Sequence, residues 1–146
     1  MNRAFFVSSQ LYVLLDSNFL MLPSVKRINV LSELDRVLGR SYKLLTINHV
    51  VEELERLASL GRPSERRRAK LALMLMKEWN VEVVGVPLQA KVDDAIAEAS
   101  SKHGWVVATN DRELRRRLKE LGVPTVYLRG GKRLTLEGEV EALTSK

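Results

Sequence analysis

The sequence predicts an α/β fold, a three-layer α/β/α arrangement around a mainly parallel central sheet of about five strands. Two observations predict it. Short apolar runs alternate with amphipathic helical segments almost throughout, the order that builds a parallel sheet with helices on both faces. The 146 residues, 45% of them hydrophobic, also suffice for one core. No repeat, low-complexity stretch or linker divides the chain, so residues 1–146 are expected to form a single domain.

Leu11 to Leu15 is a continuous apolar run of the buried-strand kind, and it stops at Asp16-Ser17-Asn18. The residues before it read as a lead-in rather than a signal peptide, because Asp16 ends the apolar run and no small-residue cleavage site follows. Phe19 to Leu38 reads as a helix, with Ile28, Leu31, Leu34, Val37 and Leu38 at helical spacing. Pro23 interrupts its start and Gly39 closes it. Lys43 to Ile47 is the second strand. Val50, Leu54, Leu57 and Ala58 form one stripe of a helix ending at Gly61.

Ser64 is the expected cap of the next helix, residues 65–79, with Ala69, Ala72, Leu73 and Met76 on one side. Val81 to Val86 is a third strand, stopped by Pro87. Val92, Ala95, Ile96 and Ala99 mark a helix that ends at Gly104. Trp105 to Ala108 is the fourth strand. Leu114, Leu118 and Leu121 mark a helix stopped by Gly122, and Val123 to Leu128 is the fifth strand. Leu134 to Leu136 suits a short edge strand in a Gly-rich, basic tail. Trp79 and Trp105 are expected in or beside the core.

Composition narrows the chemistry. There is no cysteine, which excludes disulfides and thiolate zinc sites and agrees with an expected cytoplasmic location. His49 and His103 are the two histidines, each read as structural or exposed. A metal site must therefore be built mainly from carboxylates, which favours hard cations such as Mg²⁺ or Mn²⁺. The net charge of +6 draws polyanions, above all nucleic acid. No apolar run approaches the roughly 20 residues that cross a membrane. No nucleophile elbow surrounds Ser8 or Ser9, and no phosphate-binding Gly-rich loop occurs, which argues against serine hydrolases and nucleotide-driven enzymes.

In an open parallel sheet, ligands bind beyond the carboxyl ends of the strands. Asp16 follows the first strand, and Asp111 follows Trp105 to Ala108 with Thr109 and Asn110 between. Both point to one rim. Asp93 lies in the first turn of its helix, where the dipole favours an acid, and stands three residues before Ile96. Glu53 lies three residues after Val50 and four before Leu57, so it faces partly inward. Four carboxylates at one point stay ionised together only if cations neutralise them. Such cations acidify bound water and stabilise a leaving oxygen, so no side-chain nucleophile is required.

The stretches VLLDSNFL, TINHVVEELERLA, VDDAIAEAS and VVATNDRELRRRL, in this order, resemble the four signature segments of the PIN-domain family. They run from residue 13 to residue 118. The resemblance implies a metal-dependent ribonuclease, either a toxin of a toxin–antitoxin pair or a factor in ribosomal-RNA processing. The ending VPTVYLRGGKRLTLEG looks more like the archaeal and ribosome-processing branch. Asp16, Glu53, Asp93 and Asp111 match the acidic quartet, with Asp16, Asp93 and Asp111 as metal ligands. Ser17, Asn18, Thr109 and Asn110 match polar supporting positions, and Asp94 is the neighbouring acid. The pattern selects Asp93 over Asp94 by the aliphatic Ile96 three residues on, and Glu53 over Glu52 by the leucine that follows. The implied cofactor is Mg²⁺ or Mn²⁺. The implied partners are RNA, an antitoxin or ribosomal assembly partner, and a second copy, since family members commonly pair. Ala69 to Met76 would form that interface or belong to the core.

Each feature has a plainer reading. Asp16 alone would be a turn residue, Asp111 a helix cap, with Asn110 as an equal cap candidate. Glu52, Glu53, Glu55 and Arg56 together would be a solvated face. Arg112, Arg115, Arg116 and Lys119 share one helix face beside Asp111, suited to phosphates or to pairing with Glu113 and Glu120. Arg66, Arg67, Arg68 and Lys70, with Arg62 nearby, form a second cluster. Arg129, Lys132 and Arg133 flank Gly130 and Gly131 in a third that suits phosphate or is simply a turn. The competing function is a non-catalytic RNA-binding module that scaffolds ribosome assembly. A receiver domain wants an acid pair at the first strand and a lysine after the fifth, and here Asp16 is alone and Arg129 follows. An aspartate-nucleophile phosphatase wants a second Asp where Asn18 stands.

Overall fold

A computed structural model of the chain describes residues 10–87 and 89–140, so the expected lead-in and both ends of the expected domain lie outside the described residues. Six strands form one sheet in the order β3-β2-β1-β4-β5-β6. They are β1 (Tyr12–Leu15), β2 (Lys43–Ile47), β3 (Glu82–Val84), β4 (Val106–Ala108), β5 (Thr125–Arg129) and β6 (Arg133–Glu137). The first five are parallel, and β6 returns antiparallel on β5. The helices are α1 (Ser17–Leu20), α2 (Val30–Leu38), α3 (Asn48–Leu60), α4 (Pro63–Glu78), α5 (Val92–His103) and α6 (Arg112–Glu120). The predicted α/β/α class holds, with β6 completing the sheet.

The apolar stripes read from sequence become the core. Leu14, Leu15, Phe19, Ile47, Leu54, Ile96 and Leu118 are fully buried. Ala69, Ala72 and Met76 of α4 face this core, which is the plainer of the two readings of that stripe. Trp105 is buried and carries His103 stacked at 5.0 Å, and Trp79 packs against the core edge.

Two expectations need correction. The single helix over Phe19 to Leu38 is broken into α1, a 3-10 turn at Leu22–Ser24, and α2. Pro23 has no N–H to continue a helix, and Asn29 restarts one by accepting the Ser32 N–H at 3.0 Å. Ser64 is not a cap. Pro63 opens α4, and the Glu65 carboxylate reaches back to accept the Arg62 N–H at 2.8 Å.

The edge strand β6 is closed by side chains. Glu33 of α2 accepts the Leu134 N–H at 2.9 Å, and Arg36 donates to the Leu134 carbonyl at 2.8 Å. One i,i+3 pair thus occupies both outward-facing backbone groups of Leu134, as a neighbouring strand would. The Arg36 hydrogen bond, with that from Leu134, holds the Glu33 carboxyl down to about 2.

The chain runs from β1 outward to β2 and β3, then returns to the other side of β1 with β4 and β5. The order therefore reverses between β1 and β4. At such a switch point the loops leaving two adjacent strands diverge, and a crevice opens at their carboxyl ends.

Candidate active site at the switch point

A cavity of about 580 Å³ occupies that crevice, and Asp16, Glu53, Asp93 and Asp111 all line it. They arrive on four separate elements. Asp16 ends β1, Glu53 lies in α3, Asp93 in the first turn of α5, and Asp111 precedes α6. A second cavity of about 600 Å³, beside Tyr42, Lys43 and Trp79, lies at the opposite end of the strands and has two acids, Asp35 and Glu82.

Asp16 is held on every side. The Asp16 N–H donates to Ala108 O at 3.0 Å, joining β1 to β4 at the rim. Its Oδ1 accepts the Ser17 N–H at 2.8 Å, so Asp16 caps the short α1. Its Oδ2 accepts the Thr109 hydroxyl at 2.7 Å and the Asn18 amide at 3.4 Å. The residue is 5% exposed. Burial pushes its carboxyl up to about 6, the Thr109 and Ser17 hydrogen bonds pull against that, and the charges of Asp93 and Glu53 add to it. Asp93 is raised as well, first by burial and then by the charge of Asp111, with Arg117 opposing. The acids therefore repel one another across the cavity.

The polar neighbours position the acids. The Ser17 hydroxyl donates to Glu53 Oε1 at 3.1 Å, linking α1 to α3. The buried Thr109 donates to Asp16 and accepts the Asp111 N–H at 3.1 Å, so one hydroxyl spaces two of the acids. Asn18 accepts the Asn110 N–H at 3.1 Å, and Asn110 in turn accepts the Leu128 N–H at 2.8 Å. Asp111 caps α6 through the Leu114 N–H at 3.0 Å while lining the cavity. Asp111 is therefore the cap, and Asn110 is not. Replacing Thr109 by Val should cost about 1–3 kcal/mol, because a buried carboxylate oxygen and a backbone N–H each lose a partner. Chemical unfolding measures this, and unchanged stability would mean the hydroxyl is idle.

Asp93 and Asp94 separate clearly. Asp93 faces the cavity, whereas Asp94 pairs with Arg117 at 2.5 Å. Glu52 and Glu53 do not separate fully, since both line the cavity, but only Glu53 is tied to Ser17. Met21, His49, Arg56 and Val92 also line it and escaped the sequence reading as site residues. The spacing held a signal, because His49, Glu52, Glu53 and Arg56 stand at i, i+3, i+4 and i+7, one face of α3. The buried His49 bonds the Ala90 carbonyl at 2.9 Å, and Asn48 brackets Val86 through its N–H and C=O. Together they anchor the segment that leads into Asp93.

The basic candidates scatter. Arg115 lies over the Tyr127 ring, 3.6 Å from its centroid. Arg116 pairs with Glu113 at 2.8 Å, Lys119 with Glu137 at 3.5 Å, and Arg133 with Glu33 at 3.5 Å. Arg112, Arg129 and Lys132 are exposed. In the second cluster, Arg62 pairs with Glu65 at 3.5 Å and Arg66 donates to the Gly61 carbonyl at 2.9 Å.

The donor set fits a hard divalent cation. It is all oxygen, mutually repulsive and partly desolvated, and a cation would reverse each of those costs. The side chains face one cavity without being drawn into a shell. Among the described residues no three acids or histidines stand close enough to close on an ion. Also among the described residues, no helix is long and apolar enough to cross a membrane.

Comparison with known proteins bears on the family and the fold. A family model described as a PIN like domain matches residues 13–131. The chain is 35% identical to Ribonuclease VapC9 of Archaeoglobus fulgidus over 122 residues, 84% of this chain and 86% of that protein. It is 28% identical to Ribonuclease VapC4 of Methanocaldococcus jannaschii over 125 residues, 86% and 95% of the two chains. In fold it is similar to the PIN domain endonuclease Utp24, with a TM-score of 0.74, 24% identity, and 92% and 96% of the chains covered.

Proposed function

The chain belongs to the PIN-like domain family, and from that premise we propose that it is a metal-dependent endoribonuclease that hydrolyses RNA phosphodiester bonds. The observation that carries the reading is the single cavity at the β1–β4 switch point shared by Asp16, Glu53, Asp93 and Asp111. The names of the two curated relatives, both ribonucleases, support RNA as the substrate.

In this reading Asp16, Asp93 and Asp111 hold Mg²⁺ or Mn²⁺, directly or through water. When bound, such a cation neutralises the carboxylates and supplies Lewis-acid polarisation to a phosphodiester. The chain's own residues do the rest. Thr109 and the Ser17 N–H hold the Asp16 carboxylate in one orientation. Glu53, steadied by the Ser17 hydroxyl, ligates the cation or accepts a proton from the attacking water. The Asn18–Asn110–Leu128 chain of hydrogen bonds fixes the spacing of the β1 and β4 loops.

Labelled structured RNA incubated with purified protein should be cut with Mn²⁺ or Mg²⁺ and stay whole with EDTA. Metal-independent binding with no cleavage would favour the scaffold reading instead. Of the two roles the family implies, toxin-type cutting and ribosomal-RNA processing, a neighbouring gene for a small DNA-binding antitoxin would select the first.

A further inference from the structure

We propose that Lys26, Arg27, Arg129 and Lys132 form a phosphate-binding ridge that receives the RNA strand as it leaves the acid cavity along the sheet rim. The inference rests on the ribonuclease reading and adds where the substrate lies.

The cations of α6 and β6 are largely spoken for by Glu113, Asp94, Glu137, Glu33 and the Tyr127 ring. A guanidinium already facing a carboxylate must give up that partner to take a phosphate, so its net gain is small. The pattern changes beyond the end of β5. Lys26 and Arg27, in the segment between the 3-10 turn and α2, are exposed. So are Arg129 and Lys132, in the β5–β6 hairpin. None of the four has a carboxylate partner among the described residues.

These segments are far apart in sequence and adjacent in space. A Cβ built on Gly131 would stand 3.7 Å from Nζ of Lys26. Gly130 and Gly131 have φ of 66° and 74°, the left-handed region that favours glycine, and the Lys26 ammonium lies beside Gly131, where no side chain intervenes. The Lys26 ammonium thus meets the hairpin that carries Arg129 and Lys132, and Arg27 is its chain neighbour, so like charges gather on these two segments and a polyanion relieves their repulsion.

The place of the ridge gives it a role. Because β5 is parallel to β4, Arg129 ends on the same rim as Asp16 and Asp111. Asn110 joins the two regions, holding Asn18 at the acid cavity and Leu128 beside Arg129. Neighbouring strands lie about 4.8 Å apart, so the step from the β1–β4 crevice to β5 and β6 is roughly 5–10 Å. A few nucleotides of single strand span that distance. The acids hold the cutting site, and the ridge holds phosphates beside it.

The test is the variant Lys26→Gln/Arg27→Gln/Arg129→Gln/Lys132→Gln, with a labelled single-stranded RNA bound in EDTA across a salt series. Affinity at low salt should fall at least about tenfold. The slope of log K against log salt should flatten by about 2–3, since each phosphate contact contributes about 0.7. In Mn²⁺, KM should rise while kcat stays within about twofold. The melting temperature and the Mn²⁺-induced shift should not move. Wild-type RNA affinity and salt slope in the variant would overturn the ridge. So would lost binding of poly-glutamate with RNA binding intact, which would mark a protein-binding surface. If wild type binds RNA, cuts none, and loses binding in the variant, the ridge stands and the nuclease reading falls.

Discussion

Replacing Asp16 by Asn should abolish RNA cleavage, by at least about a hundredfold in kcat/KM, and should also flatten the acid-to-neutral stability profile of the metal-free protein. Both effects come from one buried carboxylate. Its pKa is about 6 in the fold against an ordinary 3.8, with burial the main cause. A folded-state pKa above the unfolded one means that the folded protein binds the proton more tightly. The favourable contribution is therefore full below pH 4 and is lost as pH rises through about 6. A shift of this size corresponds to on the order of 3 kcal/mol. In EDTA, wild type should lose stability across that window. Asp16→Asn should lose less, the remainder coming from Asp93, which is shifted in the same direction. Urea unfolding at several pH values measures this. A variant with the same slope as wild type, or one that no longer folds, would remove Asp16 from the role given to it.

Mn²⁺ at a hundred times its dissociation constant should stabilise the protein by about 2.7 kcal/mol, a rise in Tm of roughly 10 °C for a domain of this size. The rise should be largest above pH 6, where the Asp16 carboxylate is ionised. Asp111→Asn is the cleanest probe. Asn caps helices as well as Asp does, so α6 should remain intact while one carboxylate leaves the cavity. Glu53→Gln and Asp93→Asn should also shrink the shift. Asp94→Asn should leave it in place, because Asp94 is turned to Arg117. A full shift in the Asp111 and Asp93 variants would place the ion elsewhere.

Much of the candidate site was legible in advance because it depends on topology. Any parallel sheet brings strand-end residues to one rim, so Asp16 and Asp111 converge wherever the order of elements is read correctly. Periodicity carried Asp93 and Glu53 inward, since each sits beside a buried aliphatic stripe. Other features were not legible, because nothing local encodes them. The helical spacing of Arg112, Arg115, Arg116 and Lys119 is real, yet whether those cations stay free depends on what lies opposite. There Tyr127 and Glu137 come from strands that sequence spacing alone does not place. Arg56 looked like a solvated face until α3 was seen to line the cavity.

The sequence by itself determined the alternation of strands and helices, the buried stripes, the family, and four acids bound for one edge of a sheet. These follow from side-chain period and chain order, which are properties of neighbours along the chain. Tertiary structure alone decided the Ser17–Glu53 and Thr109–Asp16 bonds, the pairing of Asp94 away from the cavity, and the meeting of Lys26 with the Gly130–Gly131 hairpin. Each joins residues at least 23 positions apart, and at that separation only the folded geometry decides which side chains meet.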